Sequence, residues 1–157
     1  MSEISVQKLL YRFYFRKHNL LCPNIFLYNW ESDFISVTKS GFVNEFEIKS
    51  SKQDFLNEQL KIDKFNILNE STKIESNLQR PNMFWYVCLD NLLEIKDIPK
   101  YAGLISFQKD RYWNLNILQK PKKLHKEKIT ENQKIKILTS IYYKYWFLKG
   151  REKNENS

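Results

Sequence analysis

The chain has 157 residues, a net charge of +8, 42% apolar and 15% aromatic residues. That length and apolar content suit one domain with a substantial core and exclude a disordered tail. No stretch approaches the roughly 18 apolar residues of a membrane span, and the N-terminus "MSEISVQKLLYRF" lacks a signal-peptide core, so a cytoplasmic protein is expected.

The basic excess points to a polyanionic partner, either nucleic acid or an anionic membrane surface. Only 3 Gly and 4 Pro leave no obvious internal linker. Cys22 and Cys88 are far apart, and Cys88 sits in an apolar run, which predicts a buried, reduced thiol. With His18 and His125 they lack the paired spacing of a structural zinc site.

In chain order, residues 5–18 repeat Val6, Leu9, Leu10 and Phe13 at helical spacing, with Ser5 as cap. Pro23 closes that segment and an extended stretch follows from Asn24. Residues 30–49, "WESDFISVTKSGFVNEFEIK", alternate apolar and polar around "KSG", which predicts a β-hairpin. Ser51 followed by Asp54 predicts a capped helix directly after it, with Phe55, Gln59 and Ile62 on one face. Residues 69–82 are polar and aperiodic and read as a mobile loop. "MFWYVCL" (83–89) predicts a central strand covered on both faces. Residues 102–107 and 112–118 predict a second hairpin, followed by the basic run 119–128. Thr130 and Gln133 open a last helix with Leu138, Ile141, Tyr142, Tyr145 and Trp146 as one stripe. Trp85, Tyr86, Trp113 and Trp146 are assigned to the core, Asp90, Glu94 and Asp97 to the solvated surface. The reading is a single domain over 1–150 with a disordered tail over 151–157.

The first hairpin collects Glu31 and Asp33 on one arm and Glu45, Glu47 and Lys49 on the other. Residues two apart on a strand share a face. A three-residue turn Lys39-Ser40-Gly41, with Gly41 left-handed, pairs Asp33 with Glu47, Glu31 with Lys49, Val37 with Val43 and Phe34 with Phe46. Carboxylates so opposed repel one another. A hard divalent cation offsets that cost and can activate water against a phosphodiester, with Lys49 stabilising the developing charge. The bland alternative is a solvated strand face with weak ion pairs.

An acid on one strand, a turn, then Glu-X-Lys and a helix resemble the PD-(D/E)XK nuclease superfamily. "WESDFISVTKSGFVNEFEIKSSKQDF", "PNMFWYVC", "IPKYAGLI" and "KPKKLHK" are similar to the MmcB-like proteins of bacteria and phages, to which a DNA-repair nuclease role is ascribed. The resemblance implies an α/β (α+β) fold with a restriction-endonuclease-like core, a mixed sheet flanked by helices, and an added C-terminal hairpin and helix. It implies a metal-dependent DNA nuclease, of the endonuclease kind, in the cytoplasm of a bacterium or phage-infected host. Asp33, Glu47 and Lys49 would be catalytic. Mg²⁺ or Mn²⁺ would be held by Asp33, Glu47 and the Ile48 carbonyl, with Glu31 a further candidate ligand in place of a glutamate from the first helix, since Glu3 falls before the expected start of that helix. Ser32 stands where the superfamily has proline. Lys52, Lys120, Lys122, Lys123, His125 and Lys126 are expected to contact DNA. No membrane or small-molecule cofactor is expected, and a homodimer stays open. The alternative is a catalytically inactive nuclease-fold module that binds DNA or is virion-associated.

Overall fold

The computed structural model describes residues 2–69 and 76–155, with the side chains of 62, 111–113 and 153–155 left aside. Helix α1 (Glu3–Tyr14) begins earlier than predicted, because Ser2 rather than Ser5 is the cap. The Ser2 hydroxyl accepts the Ser5 N–H at 3.3 Å. The helix also ends earlier, where the chain joins strand β1 (His18–Ile25). Pairing of His18 with Thr38, and a 2.7 Å bond from its Nδ1 to Ser36 Oγ, outweigh the helical period of that segment. Pro23 lies inside β1, which is tolerable on an edge strand.

Strands β2 (Ser32–Thr38) and β3 (Val43–Lys49) form the predicted hairpin, with Phe34 opposite Phe46 and Val37 opposite Val43. Thr38 donates its N–H to Phe42 O at 2.9 Å across the three-residue loop. Gly41 there has φ +93°, a conformation that favours glycine. Ser51 caps α2 (Lys52–Gln59), accepting the Asp54 N–H at 3.0 Å. The single helix expected here breaks at Leu60-Lys61 and restarts as α3 (Ile62–Leu68).

Strand β4 (Met83–Leu89) runs parallel to β3, and β5 (Gly103–Gln108) parallel to β4. Strand β6 (Arg111–Gln119) returns antiparallel, and α4 (Glu131–Glu155) follows. Gln133 N–H to Thr130 Oγ1 and Thr130 N–H to Gln133 Oε1, both 3.1 Å, form the predicted capping box. The six strands lie in sequence order, β1-β2-β3-β4-β5-β6, in one mixed sheet flanked by helices. The order helix, three antiparallel strands, helix, strand, then hairpin and helix is the one expected.

Helix α1 buries Val6, Leu9 and Leu10 on one face of the sheet, against Phe34, Phe46, Trp85 and Ile105. On the other face Phe55 of α2 and Leu68 of α3 pack with Phe84, Tyr86 and Leu104. Ile137 of α4 packs with Cys22, Ile35 and Val43. Both cysteines are buried and free, and burial pushes the Cys88 thiol up to about 11.

Four expectations need correction. Of the loop 69–82, residues 70–75 lie outside the described residues, but Arg80 and Asn82 are buried and firmly bonded. The stripe on α4 is misplaced: Leu138, Tyr142, Tyr145 and Trp146 are exposed, and Ile137, Ser140, Ile141 and Lys144 face the body. Bonds to β1 choose that face, Cys22 Sγ–H to Ser140 Oγ at 3.7 Å and Lys144 Nζ to the carbonyl of Asn24 at 3.0 Å. Trp146 is therefore not core, Trp85 and Tyr86 are, and the Trp113 side chain lies outside what is described. The expected tail is helical as far as Glu155.

Arg80 holds α3 in place. It is 1% exposed, and its guanidinium donates to the carbonyls of Leu68 (3.3 Å), Ile67 (3.4 Å) and Leu124 (3.1 Å). Arg80→Ala leaves these carbonyls without that donor and is expected to cost about 3 kcal/mol. Urea unfolding measures the loss, and amide exchange should accelerate first in α3.

Candidate active site

Strand alternation puts Glu45, Glu47 and Lys49 on the face that α2 and α3 cover. The hairpin register brings Asp33 level with Glu47, one step beyond the Phe34–Phe46 pair. The break between α2 and α3 turns two more charges inward, Glu58 and Lys64. Lys49 Nζ donates to Glu47 Oε1 at 2.9 Å and to Glu58 Oε2 at 3.3 Å. Lys64 Nζ donates to Glu47 Oε2 and Glu58 Oε1, both at 3.0 Å, and lies 3.5 Å from Glu45 Oε1. The Trp30 indole donates to Glu45 at 2.7 Å, and Lys61 reaches Glu58 at 2.8 Å.

Burial by itself disfavours the charged form of both lysines. The surrounding carboxylates overcome it: Glu47, Glu58 and Asp54 hold Lys49 above its ordinary value, and Glu45, Glu47 and Glu58 hold Lys64 well above it. Conversely, burial opposes ionisation of Glu58, but Lys64, Lys61 and Lys49 draw its carboxyl down to about 2. Full burial leaves Glu45 raised despite Lys64.

Asp33 differs from these. Burial, reinforced by the charge of Glu47, pushes its carboxyl up to about 7, although Oδ2 accepts the Ile48 N–H at 2.7 Å. Glu3 adds to the upward push. Helix α1 holds Glu3 there: Gln7 Nε2 donates to Glu3 Oε1 at 3.1 Å and to the Asp33 carbonyl at 2.9 Å, and Asn24 donates to Glu3 at 2.8 Å. A cleft of about 320 Å³ opens beside Ile48, Lys49, Ser50 and Asp54, with Ser2 and Glu3 on its other wall. It lies at the carboxyl end of β3, where parallel strands commonly present ligand sites.

Asp33, Glu47 and Lys49 are thus gathered as expected, and Ile48 lines the cleft. Glu31 is exposed and precedes β2, so it does not join them; Glu3 is the carboxylate that approaches Asp33. Lys52 is exposed in the first turn of α2. The basic run is elsewhere. Leu124 N–H to Asn82 O (2.7 Å) and Ile129 N–H to Gly41 O (2.9 Å) tie it to the opposite end of the strands, roughly 20 Å away by strand rise. Lys120, Lys122, Lys123 and Lys126 are exposed there, with Lys123 Nζ 3.8 Å from the centre of the Phe42 ring. His125 is buried, its Nε2 2.9 Å from Arg80 O and its Nδ1 accepting the Glu127 N–H at 3.1 Å, so both ring nitrogens are engaged within the fold.

Sequence reasoning missed Glu58 and Lys64 and passed over Glu3 in favour of Glu31. Reading one continuous helix after Ser51 hid the first two, and placing the first cap at Ser5 left Glu3 outside its helix. The acid in the first turn after Ser2 was the available signal.

Among the described residues no three His, Cys, Asp or Glu side chains are grouped to hold a metal by themselves. The donors still suit Mg²⁺ or Mn²⁺, which commonly take one or two carboxylates and fill the shell with water and phosphate. Asp33 and Glu47 supply two hard oxygens, and burial together with the neighbouring Glu47 charge raises the Asp33 carboxyl.

No family model and no curated protein matches this sequence. Among solved structures, the SPO1766 protein of unknown function from Silicibacter pomeroyi is similar, with a TM-score of 0.58 over 87% of this chain and 82% of that one. At 12% identity this shows the fold alone. No helix of the described residues is long and apolar enough to cross a membrane.

Two outcomes follow for the charges. Lys64→Met leaves three buried carboxylates short of a counter-ion and should cost about 3 to 5 kcal/mol in urea unfolding. Asp33 binds its proton more tightly folded than unfolded, so ionising it costs stability as pH rises from about 4 to about 7. Asp33→Asn removes that cost; without added metal the variant should be about 1 to 2 kcal/mol more stable than wild type at pH 8, with the gain vanishing near pH 4.

Proposed function

We propose that this chain is a metal-dependent nuclease that hydrolyses DNA phosphodiester bonds within a strand. The observation that supports this most is the placing of Asp33 and Glu47 level on adjacent strands, with the Lys49 ammonium held 2.9 Å from Glu47 at the edge of an open cleft. Asp33 and Glu47 would hold the cation, and the Ile48 carbonyl is a further donor in the cleft wall. When bound, Mg²⁺ or Mn²⁺ supplies Lewis-acid polarisation of the phosphate and a more acidic water.

The protein's own contribution is positional and electrostatic. Glu47 and Glu58 keep Lys49 charged and fix its direction, so the ammonium is ready for the charge that develops on the phosphorane oxygens. Ser50 donates its N–H to Asp54 at 3.1 Å, which braces the turn carrying Lys49 into α2. Lys52, exposed beside the same turn, would meet a backbone phosphate. Lys120, Lys122, Lys123 and Lys126 form a separate basic surface that would touch only DNA extending past the other end of the strands. DNA repair and phage DNA processing are settings in keeping with such an activity.

A catalytically silent, DNA-binding or virion-associated module is the competing reading, and Lys49 separates the two. Lys49→Ala should keep most DNA affinity and lose about 10²- to 10³-fold in cleavage rate with either metal. Plasmid and oligonucleotide cleavage with Mg²⁺, Mn²⁺ or EDTA measures this. DNA binding by wild type without cleavage of any substrate form would establish the silent module, and cleavage by Lys49→Ala at the wild-type rate would move the site elsewhere.

A further inference from the structure

Helix α4 carries apolar side chains that its own domain leaves exposed. Ile135 (59% exposed), Leu138 (52%), Tyr142 (59%) and Tyr145 (52%) follow one another at alternating steps of three and four residues. That spacing draws one seam along a helix, suited to a second helix. The next steps of the pattern fall on Glu131 and Lys149, both exposed and of opposite charge. At about 100° per residue, the packed residues Ile137, Ser140 and Lys144 lie about 120° to 180° round the helix from the middle of the seam, and Ile141 about 80°. Glu131 and Leu138 border a cavity against the β2–β3 turn, while Ile135, Tyr142 and Tyr145 stay more than half exposed along the rest of the seam.

We infer that this seam is an interface with a second copy of the chain, made by antiparallel packing of two α4 helices about a two-fold axis near residue 140. In that register Ile135 layers against the partner's Tyr145, and Leu138 against the partner's Tyr142. The symmetric layers repeat beyond the axis. Glu131 meets the partner's Lys149 at both ends, so the apolar layers are closed by ion pairs. A parallel pair would set like charges together, and an anionic bilayer would repel Glu131. Antiparallel packing also opposes the two helix dipoles favourably. Within one chain Glu131 bonds Lys134 at 2.9 Å and Lys149 bonds Glu152 at 3.0 Å, exposed pairs that exchange at little cost. Trp146, 55% exposed, flanks the seam and adds the kind of aromatic area enriched at interfaces. A specific interface needs on the order of 1,000 Å² of buried surface, which this pair would have to reach with its flanking aromatics.

Sedimentation velocity on the whole chain across the micromolar range tests this. Wild type should pass from monomer to dimer, and Tyr142→Glu should stay monomeric with unchanged helicity, because Tyr142 is exposed. Glu131→Lys and Lys149→Glu should each weaken dimerisation by about tenfold or more, and together restore it to within about threefold of wild type. A monomer at every concentration, a dimer that survives Tyr142→Glu, or no rescue by the double reversal overturns the inference. So does a monomer that binds vesicles of anionic phospholipid through the same residues.

Discussion

Three carboxylates buried on one face of a sheet can coexist only with counter-charges buried beside them. Glu45, Glu47 and Glu58 are each less than a tenth exposed, and Lys49 and Lys64 are buried with them. Removing such charges from water is costly, and their mutual attraction repays it only with good hydrogen-bond geometry. Much of the surrounding structure meets that condition. The chain breaks between α2 and α3 so that Glu58 and Lys64 both turn inward, and Arg80 closes the end of α3 through its last carbonyls. A buried ion network of this kind adds little net stability over an apolar core of the same volume. Its presence is better explained by what it holds in place than by what it stabilises.

What it holds is Lys49. The ammonium is shared between Glu47 and Glu58, and Lys64 takes the other oxygen of each of those carboxylates. The inner charges are thereby compensated within the fold. The outer ones are not: Asp33 stands beside Glu47 and within the field of Glu3, and its carboxyl is held near neutral pH. The site has a compensated interior and a negatively charged rim at the cleft, an asymmetry suited to receiving a cation together with the anionic substrate that it would bind.

The opposite end of the sheet uses its polar residues for construction. Asn82 Oδ1 accepts the Val43 N–H at 2.8 Å, and its amide donates to the carbonyls of His125 and Glu127 at 3.0 and 2.8 Å. These bonds fasten the extended basic segment across the starts of β3 and β4. The lysines that follow from its sequence are exposed, but the segment's course is set by buried Asn82, Arg80 and His125. A charge run that looks like a binding surface is here also a strap.

The alternation of 30–49, the left-handed requirement at Gly41 and the apolar run 83–89 were enough to place the hairpin, its register and the central strand. They also brought Asp33, Glu47 and Lys49 to one end, because period-two patterning and a turn's length are local properties. Caps at Ser51 and Thr130 were legible for the same reason. The start of α1 and the break after Gln59 were not, since each depends on a neighbour distant in sequence. Asn24 and Asp33 fix the surroundings of Glu3, and Glu47 draws Lys64 inward. The packed face of α4 was equally beyond reach, because its aromatic stripe is the more hydrophobic side and yet polar bonds to β1 turn that stripe outward. Local periodicity belongs to the chain itself. Which charge meets which, and which apolar face is left open, is decided only when distant segments compete for the same buried space.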